Sequence, residues 1–515
     1  MKSIGENAVR ADSAAAFAAS TVESLRRESA PRTLSPLARA VAAEPVAQAM
    51  SPVIIAGVVR IAEFAAILLL GMLLYKLRVD PEASPFQYAV ATLGIAASAV
   101  VVFQTLNLYT IAAFRVQGQQ LARIATAWTA IFLIGFAIAF FAKFETAYSR
   151  VWAVSLHICG LAALCVGRSI LTALVRRWAR AGHLVRRVVI VGSGRSAEAL
   201  IDALQSEKDS DLRICGVFDD RSEDRSPPVV GGIPKLGTVD DLVEFTRQTR
   251  VDLILVSLPM TAEERVLEMV RKLWVLPVDV RLAAHMNQLR FRPRAYSYIG
   301  NVPVLDIFDK PIADWNMVIK AVFDRVVGAL ILLAVFTAMV VIALAVKVDS
   351  PGPIFFRQRR YGFNNEPINV LKFRSLYHDM ADAAAQKLVT IGDPRVTSVG
   401  RIIRKTSLDE LPQLFNVVFA GNLSLVGPRP HALNAKAEQR LYEEAVDGYF
   451  ARHKVKPGIT GWAQINGWRG DTDTQEKIQR RIEHDLYYIE NWSLMFDIYI
   501  VLRTPFALIK AENAY

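Results

Sequence analysis

Four apolar runs near the ~20-residue length of a bilayer span, a strand and helix alternation opening on a glycine turn at Gly192, and a fifth apolar run flanked by cations predict the fold class. The chain reads as a membrane protein in three parts: a four-helix transmembrane bundle, a Rossmann-like α/β domain, and a C-terminal α/β domain anchored by a re-entrant membrane helix. At 515 residues it is too long for one core, and 53% hydrophobic residues with a mean hydropathy of +0.28 put part of it in lipid. The net charge of +11 points to anionic headgroups and phosphate-bearing substrates. Nucleic acid is disfavoured, since no binding motif accompanies the charge. Cys159, Cys165 and Cys215 are scattered, giving neither a disulfide framework nor a metal-ligand spacing.

Residues 1–50, rich in Ala, Ser, Arg and Glu without a signal-peptide core, predict a disordered cytoplasmic tail. Apolar runs at about 53–75, 88–112, 121–142 and 151–175 predict the four membrane helices of residues 51–178, because backbone groups in lipid must bond internally. Arg176, Arg177, Arg180, Arg186 and Arg187 follow the last of them, so both ends of the bundle are expected to face the cytoplasm. From 184 to 300 buried strands alternate with helices in the manner of a doubly wound parallel sheet. Gly192, Gly194 and Ala197 meet a dinucleotide fingerprint at its weakest, with Asp219 at the ribose-binding spacing. The alternative is that the glycines only close the turn and pack the helix. No Tyr-x-x-x-Lys pair exists to supply the base of a membrane-bound nucleotide-sugar dehydratase or epimerase.

A linker containing Arg290–Arg294 and Pro303–Pro311 leads to the fifth apolar run, Val326–Val346, within a membrane segment of residues 318–348. Cations precede it at Lys310, Lys320 and Arg325 and follow it at Lys347, Arg357, Arg359 and Arg360. A crossing helix would export everything after it, whereas re-entry satisfies the charge rule at both ends. Thr337 is the expected bend, through its hydroxyl. Ser350-Pro-Gly-Pro353 then stops the helix, and two short extended segments carry Arg357 and, at period two, Lys372 and Arg374.

The 349–515 region centres on Thr406–Pro430, where Asp409 and Glu410 stand side by side before a Gly-Pro-Arg-Pro corner. Adjacent carboxylates suit Mg2+, which is held by one or two of them together with substrate phosphates, and Arg429 suits a bidentate grip on phosphate. Ser407-x-x-Glu410 also reads as a helix capping box. Arg404 adds charge just before the acids, and Arg452–Gly467, including Gln464, has the glycine-punctuated character of a binding loop. Asp485 and Asp497 bring two late acids into an aromatic, aliphatic run whose broken tail is expected to lie on the membrane surface.

In order, K-x-x-F-D, S-P-G-P-I-F-F-R-Q, L-K-F-R-S-L, S-L-D-E-L-P-Q-L-F-N-V, L-V-G-P-R-P, K-P-G-I-T-G-W-A-Q-I-N-G and W-S-L-x-x-D resemble the bacterial sugar transferase family, the monotopic polyprenyl-phosphate hexose-1-phosphate transferases. The resemblance covers the part from Lys320 onward, and the preceding domains are similar to the family's long form. It implies a catalytic domain over 349–515 that moves a hexose-1-phosphate from a UDP-sugar to undecaprenyl phosphate and releases UMP. This is the first membrane step of a surface polysaccharide. It further implies Asp409 as nucleophile of a covalent aspartyl phosphosugar, Mg2+ held at Asp409 and Glu410, Lys372 or Arg374 as the essential base-segment cation, and Asp497 as the late catalytic acid. Arg429, with Arg404, Arg357, Asp485 and Gln464, would bind substrate. The long form and the Asn-Ala-Tyr ending resemble the glucose-1-phosphate members, with galactose next; a homodimer at the bacterial inner membrane, domains facing the cytoplasm, is expected. Where short members carry Ser-Pro in the membrane helix, this chain has Thr337-Ala338. The rival classes are the dehydratase and a non-catalytic assembly scaffold.

Overall fold

The computed structural model describes residues 34–80, 82–141, 143, 148–206, 211–221, 226–258, 263–283, 297–299, 302–380, 392–431, 436–437, 440–441, 449–468 and 474–510. Most of the tail, the Arg290–Arg294 linker and the Asn-Ala-Tyr ending lie outside them. The chain divides into two compact units, residues 46–186 and the remainder.

The tail is ordered where it is described. Helix α1 (Pro36–Ala42) starts on a Ser35 cap, and Ser35 Oγ donates to Leu236 O at 2.8 Å. Leu34 and Ala38 are buried in the core of the α/β domain, which corrects the expectation of disorder through residue 50: two small apolar contacts offset the cost of ordering one short turn.

The unit 46–186 holds α2 (Pro52–Arg78), α3 (Pro85–Thr105), the short α4 (Ile111–Arg115), α5 (Gln117–Phe141) and α6 (Arg150–Arg180). The four long ones match the predicted runs. Their outward residues are apolar, and Trp128, Phe103, Ile124 and Leu156 fill the interior. Arg168, the residue least suited to such a helix, is buried against Glu63 at 2.5 and 3.0 Å and donates to Leu108 O, while Tyr109 bonds the same carboxylate.

The second unit opens with an eight-stranded sheet: β1 (Arg186–Val191), β2 (Leu212–Phe218), β3 (Val229–Val230), β4 (Ile233–Gly237), β5 (Leu253–Val256), β6 (Asp279–Ala283), β7 (Ser297–Ile299) and β8 (Val302–Phe308). Their order is β3-β4-β2-β1-β5-β6-β8-β7, with parallel pairings at β2–β4, β1–β5 and β5–β6 and antiparallel strands added at both edges. Helices α7 (Arg195–Gln205), α8 (Val239–Gln248) and α9 (Glu263–Leu273) connect the parallel strands. The domain therefore runs to Phe308, eight residues past the predicted boundary, because β8 pairs with β6 and completes the sheet.

Helix α10 (Asp314–Asp349) is a single uninterrupted helix of 36 residues, continuous through Thr337, where a bend was expected. The Thr337 hydroxyl alone does not break the ladder as a proline would. Lys320, Asp324, Gly328, Leu332, Met339 and Val346 form its buried stripe, while Leu330, Leu333, Phe336, Val341 and Leu344 face outward. With α2, α3, α5 and α6 it makes five helices long and apolar enough to cross a membrane among the described residues. Strands β9 (Phe355–Tyr361) and β10 (Pro367–Phe373) follow as an antiparallel hairpin, then α11 (Ser398–Lys405), β11 (Ser424–Val426), the strand Gly458–Thr460 parallel to β11, α12 (Gln475–Glu490) and α13 (Leu494–Lys510). Met495, Leu502 and Phe506 leave an apolar face on α13.

Candidate active site

The acid pair does not cap a helix. Ser407 takes a left-handed conformation (φ 59°) and makes no side-chain cap, and Leu408–Glu410 is one 3-10 turn that points both carboxylates into the domain. Pro412 follows that turn as the cap residue of a second, short one, where its fixed φ fits. Glu410 then reaches two cations instead of the Ser407 backbone. Lys372 Nζ donates to its Oε1 at 2.9 Å, and Arg429 spans both oxygens at 2.6 and 3.1 Å.

Each partner is delivered by a different element. Lys372 lies on β10, whose pairing with β9 sets Lys372 opposite Phe356. Arg429 comes from the corner after β11, where Gly427 N donates to Thr460 O and Gly458 N to Pro428 O. A Cβ on Gly458 would meet Gly427 N at 2.1 Å, so the two backbones can close only around glycine. Arg360, Val370, Lys372, Glu410, Gln413, Arg429, Pro430 and Gly458 line a cleft of about 210 Å³.

Burial by itself would raise the Glu410 carboxyl, but Arg429 and Lys372 together hold it well below the usual carboxylate range. Asp409 goes the other way: burial raises it against the pull of Lys372, the Glu410 charge adds to the rise, and Arg404 and Arg429 oppose it. Burial likewise lowers Lys372 despite Glu410. Two neighbouring acids are thus driven apart in pKa, one a fixed anion and the other a desolvated carboxylate on which, among the described residues, no hydrogen bond ends.

Of the residues singled out in the sequence, Asp409, Glu410, Lys372 and Arg429 come together, with the charge of Arg404 within reach of Asp409. The others do not join them. Arg374 was expected on the face of Lys372, but β10 ends at Phe373 and Arg374 turns away to donate to Pro351 O at 2.6 Å, Ser350 O at 2.7 Å and Val346 O at 3.3 Å. It closes the C-terminus of α10 onto the domain, over Gly352 at φ 126°. Arg374→Ala is therefore expected to destabilise the protein by about 1–3 kcal/mol for each carbonyl left buried and unpaired. A lowered melting temperature in detergent, with the donor KM of the surviving fraction unchanged, checks this.

Asp497 is fully buried and receives Lys320 Nζ at 2.8 Å, Tyr488 Oη at 2.8 Å and Trp492 Nε1 at 3.2 Å. It ties α13 to α10 and is not among the residues that line the cleft. Asp485 pairs with Arg452 at 2.7 Å; Gln464 Nε2 bonds the Ile459 carbonyl of its own loop; Arg357 points outward on β9, opposite Leu371. Arg360 was read only as a flanking cation and Arg452 only as the start of a loop, and Gln413 was not singled out. Alternation along β9 sets Arg360 on the opposite face from Arg357, and only the register shows which face looks into the cleft.

In the α/β domain Gly192 and Gly194 both take positive φ in the β1–α7 turn. The Asp219 carboxylate, however, accepts from Ser193 N at 3.0 Å and from the Ser193 hydroxyl, and is 1% exposed. The acid expected to read a ribose closes the turn instead, which supports the packing role of the glycines.

Comparison with known proteins gives two family matches: bacterial sugar transferase over residues 315–511, and CoA-binding domain over residues 104–284. The chain is 38% identical over 356 residues to the undecaprenyl-phosphate glucose phosphotransferase of Komagataeibacter xylinus, covering 69% of this chain and 65% of that protein. It is 39% identical over 336 residues to a UDP-glucose:undecaprenyl-phosphate glucose-1-phosphate transferase of Escherichia coli K12, covering 65% and 70% respectively. A protein of the same description from Xanthomonas campestris is 31% identical across 89% of this chain and 94% of its own length.

Proposed function

Because the chain belongs to the bacterial sugar transferase family, we propose that it transfers glucose-1-phosphate from UDP-glucose to undecaprenyl phosphate and releases UMP. The observation that carries the reading is the buried Asp409 carboxylate beside a Glu410 clamped between Lys372 and Arg429. Asp409 attacks the sugar-bearing phosphorus of the donor, and the bond to UMP breaks. The lipid phosphate oxygen then attacks the same phosphorus and the aspartate leaves as free carboxylate. Two displacements through one acid replace a single difficult transfer. Glu410, held as an anion, aims Lys372 and Arg429 at the place where phosphate charge develops, with no reorganisation needed at that moment.

Among the described residues no three His, Cys, Asp or Glu converge on a metal. The acid pair still fits Mg2+, which takes most of its ligands from phosphate and water. Among the described residues no hydrogen bond ends on Asp409, and Glu410 accepts three of the about four its oxygens can take. Bound there, Mg2+ supplies charge neutralisation of the diphosphate.

The proposal includes an α10 that stays on one side of the bilayer, without the bend that re-entry would need, and a site at the cytoplasmic face of the inner membrane. Asp324 accepts from Leu425 N, and Val346 O accepts from Arg374, so both ends of the apolar stretch bond the same domain. Those two residues lie about 33 Å apart along the helix, as far as a bilayer core is thick, and a straight crossing would pull one contact to the other side. UMP release from membranes given a panel of UDP-sugars tests the activity. UDP-glucose with undecaprenyl phosphate and Mg2+ is expected to be best, and no release from any donor would sink the reading.

A further inference from the structure

The two arms that hold Glu410 both lead back to the α/β domain. One arm is the β9–β10 hairpin, which carries Lys372. Its tip, Phe363–Asn365, has positive φ at Asn364 and Asn365, and Asn364 Nδ2 donates to Thr246 O at 3.0 Å near the end of α8. The other arm is the 3-10 segment Tyr449–Lys454, in which Arg452 donates to Arg429 O at 2.7 Å and pairs with Asp485. The same α8 end reaches this segment too, since the Arg247 guanidinium lies 5.0 Å from the centre of the Phe450 ring. Lys454 completes the contact, its Nζ 5.0 Å from the Trp274 ring centre and 5.6 Å from that of Phe308. Burial lowers this amine to about 8, with Glu490 opposing, which reflects how far water is kept from it. His453 joins the arms by bonding Asn365.

We propose that the α/β domain acts as a brace for the transfer site, with Arg247 and Lys454 as positioning residues that hold Arg429 and Lys372 on Glu410. The inference rests on the transferase reading for its rate measurements, but not for its structural one. A cation over an aromatic ring is a contact that an aliphatic or truncated side chain does not replace and another cation does. The domain need bind no nucleotide to do this.

The test uses the full chain in membranes, comparing wild type, Arg247→Ala/Lys454→Met and Arg247→Lys. In the paired variant kcat is expected to fall about five- to tenfold with donor KM near wild type, the scale of two cation–π contacts, one of them desolvated. Arg247→Lys is expected to restore most of the rate. In an Arg429→Lys background the paired change is expected to cost little more, since the group being positioned is already altered. Hydrogen exchange over residues 424–431 is expected to quicken in the paired variant and not in Arg247→Lys. Unchanged exchange there, wild-type kcat, or losses that multiply in the Arg429→Lys background would each overturn the brace. Should wild type release no UMP, the transferase reading fails and the exchange comparison still decides this one.

Discussion

Replacing Asp409 with Asn is expected to lower UMP release by roughly 10⁴-fold or more, the loss seen when a covalent nucleophile is removed. The amide keeps the shape of the side chain, so Lys372, Arg404 and Arg429 stay where they are while the attacking oxygen loses its charge. Because Asp409 is buried at a desolvation cost, the substitution is not expected to unfold the protein. The wild-type pH profile carries the same information. Burial raises Asp409, so the carboxylate is protonated and inactive below its raised pKa and active above it. The acid limb of kcat/KM is therefore expected above the ordinary aspartate value, with activity falling as pH drops. Glu410 cannot supply that limb, since Arg429 and Lys372 hold it ionised well below that range. A limb at ordinary aspartate values, or turnover by the Asn variant, would remove Asp409 from the role.

The second large effect is expected for Glu410→Gln. Its carboxylate is the shared counter-ion of two largely buried cations, and removing one partner of a buried ion pair typically costs about 3–5 kcal/mol. The catalytic loss is expected to be about 10²- to 10³-fold in kcat/KM, the scale of losing one preorganised electrostatic contact. The melting temperature is expected to fall as well, which separates this variant from Asp409→Asn. Wild-type melting in Glu410→Gln would mean that Lys372 and Arg429 do not depend on it.

These two acids are legible in the sequence because residue type and spacing carry their chemistry. The long apolar helices are legible for a plainer reason, since length and apolar content suffice to mark them. What escapes is set by distant partners. Arg374 shares the period of Lys372, yet the strand ends between them, and nothing local to L-K-F-R-S-L marks that end. Asp497 looks catalytic by its place in a motif, but its counter-ion is Lys320, 177 residues earlier. Asp219 stands at the right distance from the glycine turn to read a ribose, yet Ser193 occupies its carboxylate. Thr337 marks a bend that α10 does not make, because one hydroxyl leaves the backbone ladder intact.

The Glu63–Arg168 pair bears on how the molecule is made. Glu63 enters with the first long helix and Arg168 with the fourth, 105 residues later in the chain. An unpaired charge near the centre of such a helix costs about 2.5–3.5 kcal/mol at insertion. A chain cut short before Arg168 is therefore expected to leave the Glu63 carboxylate without the cation it faces here.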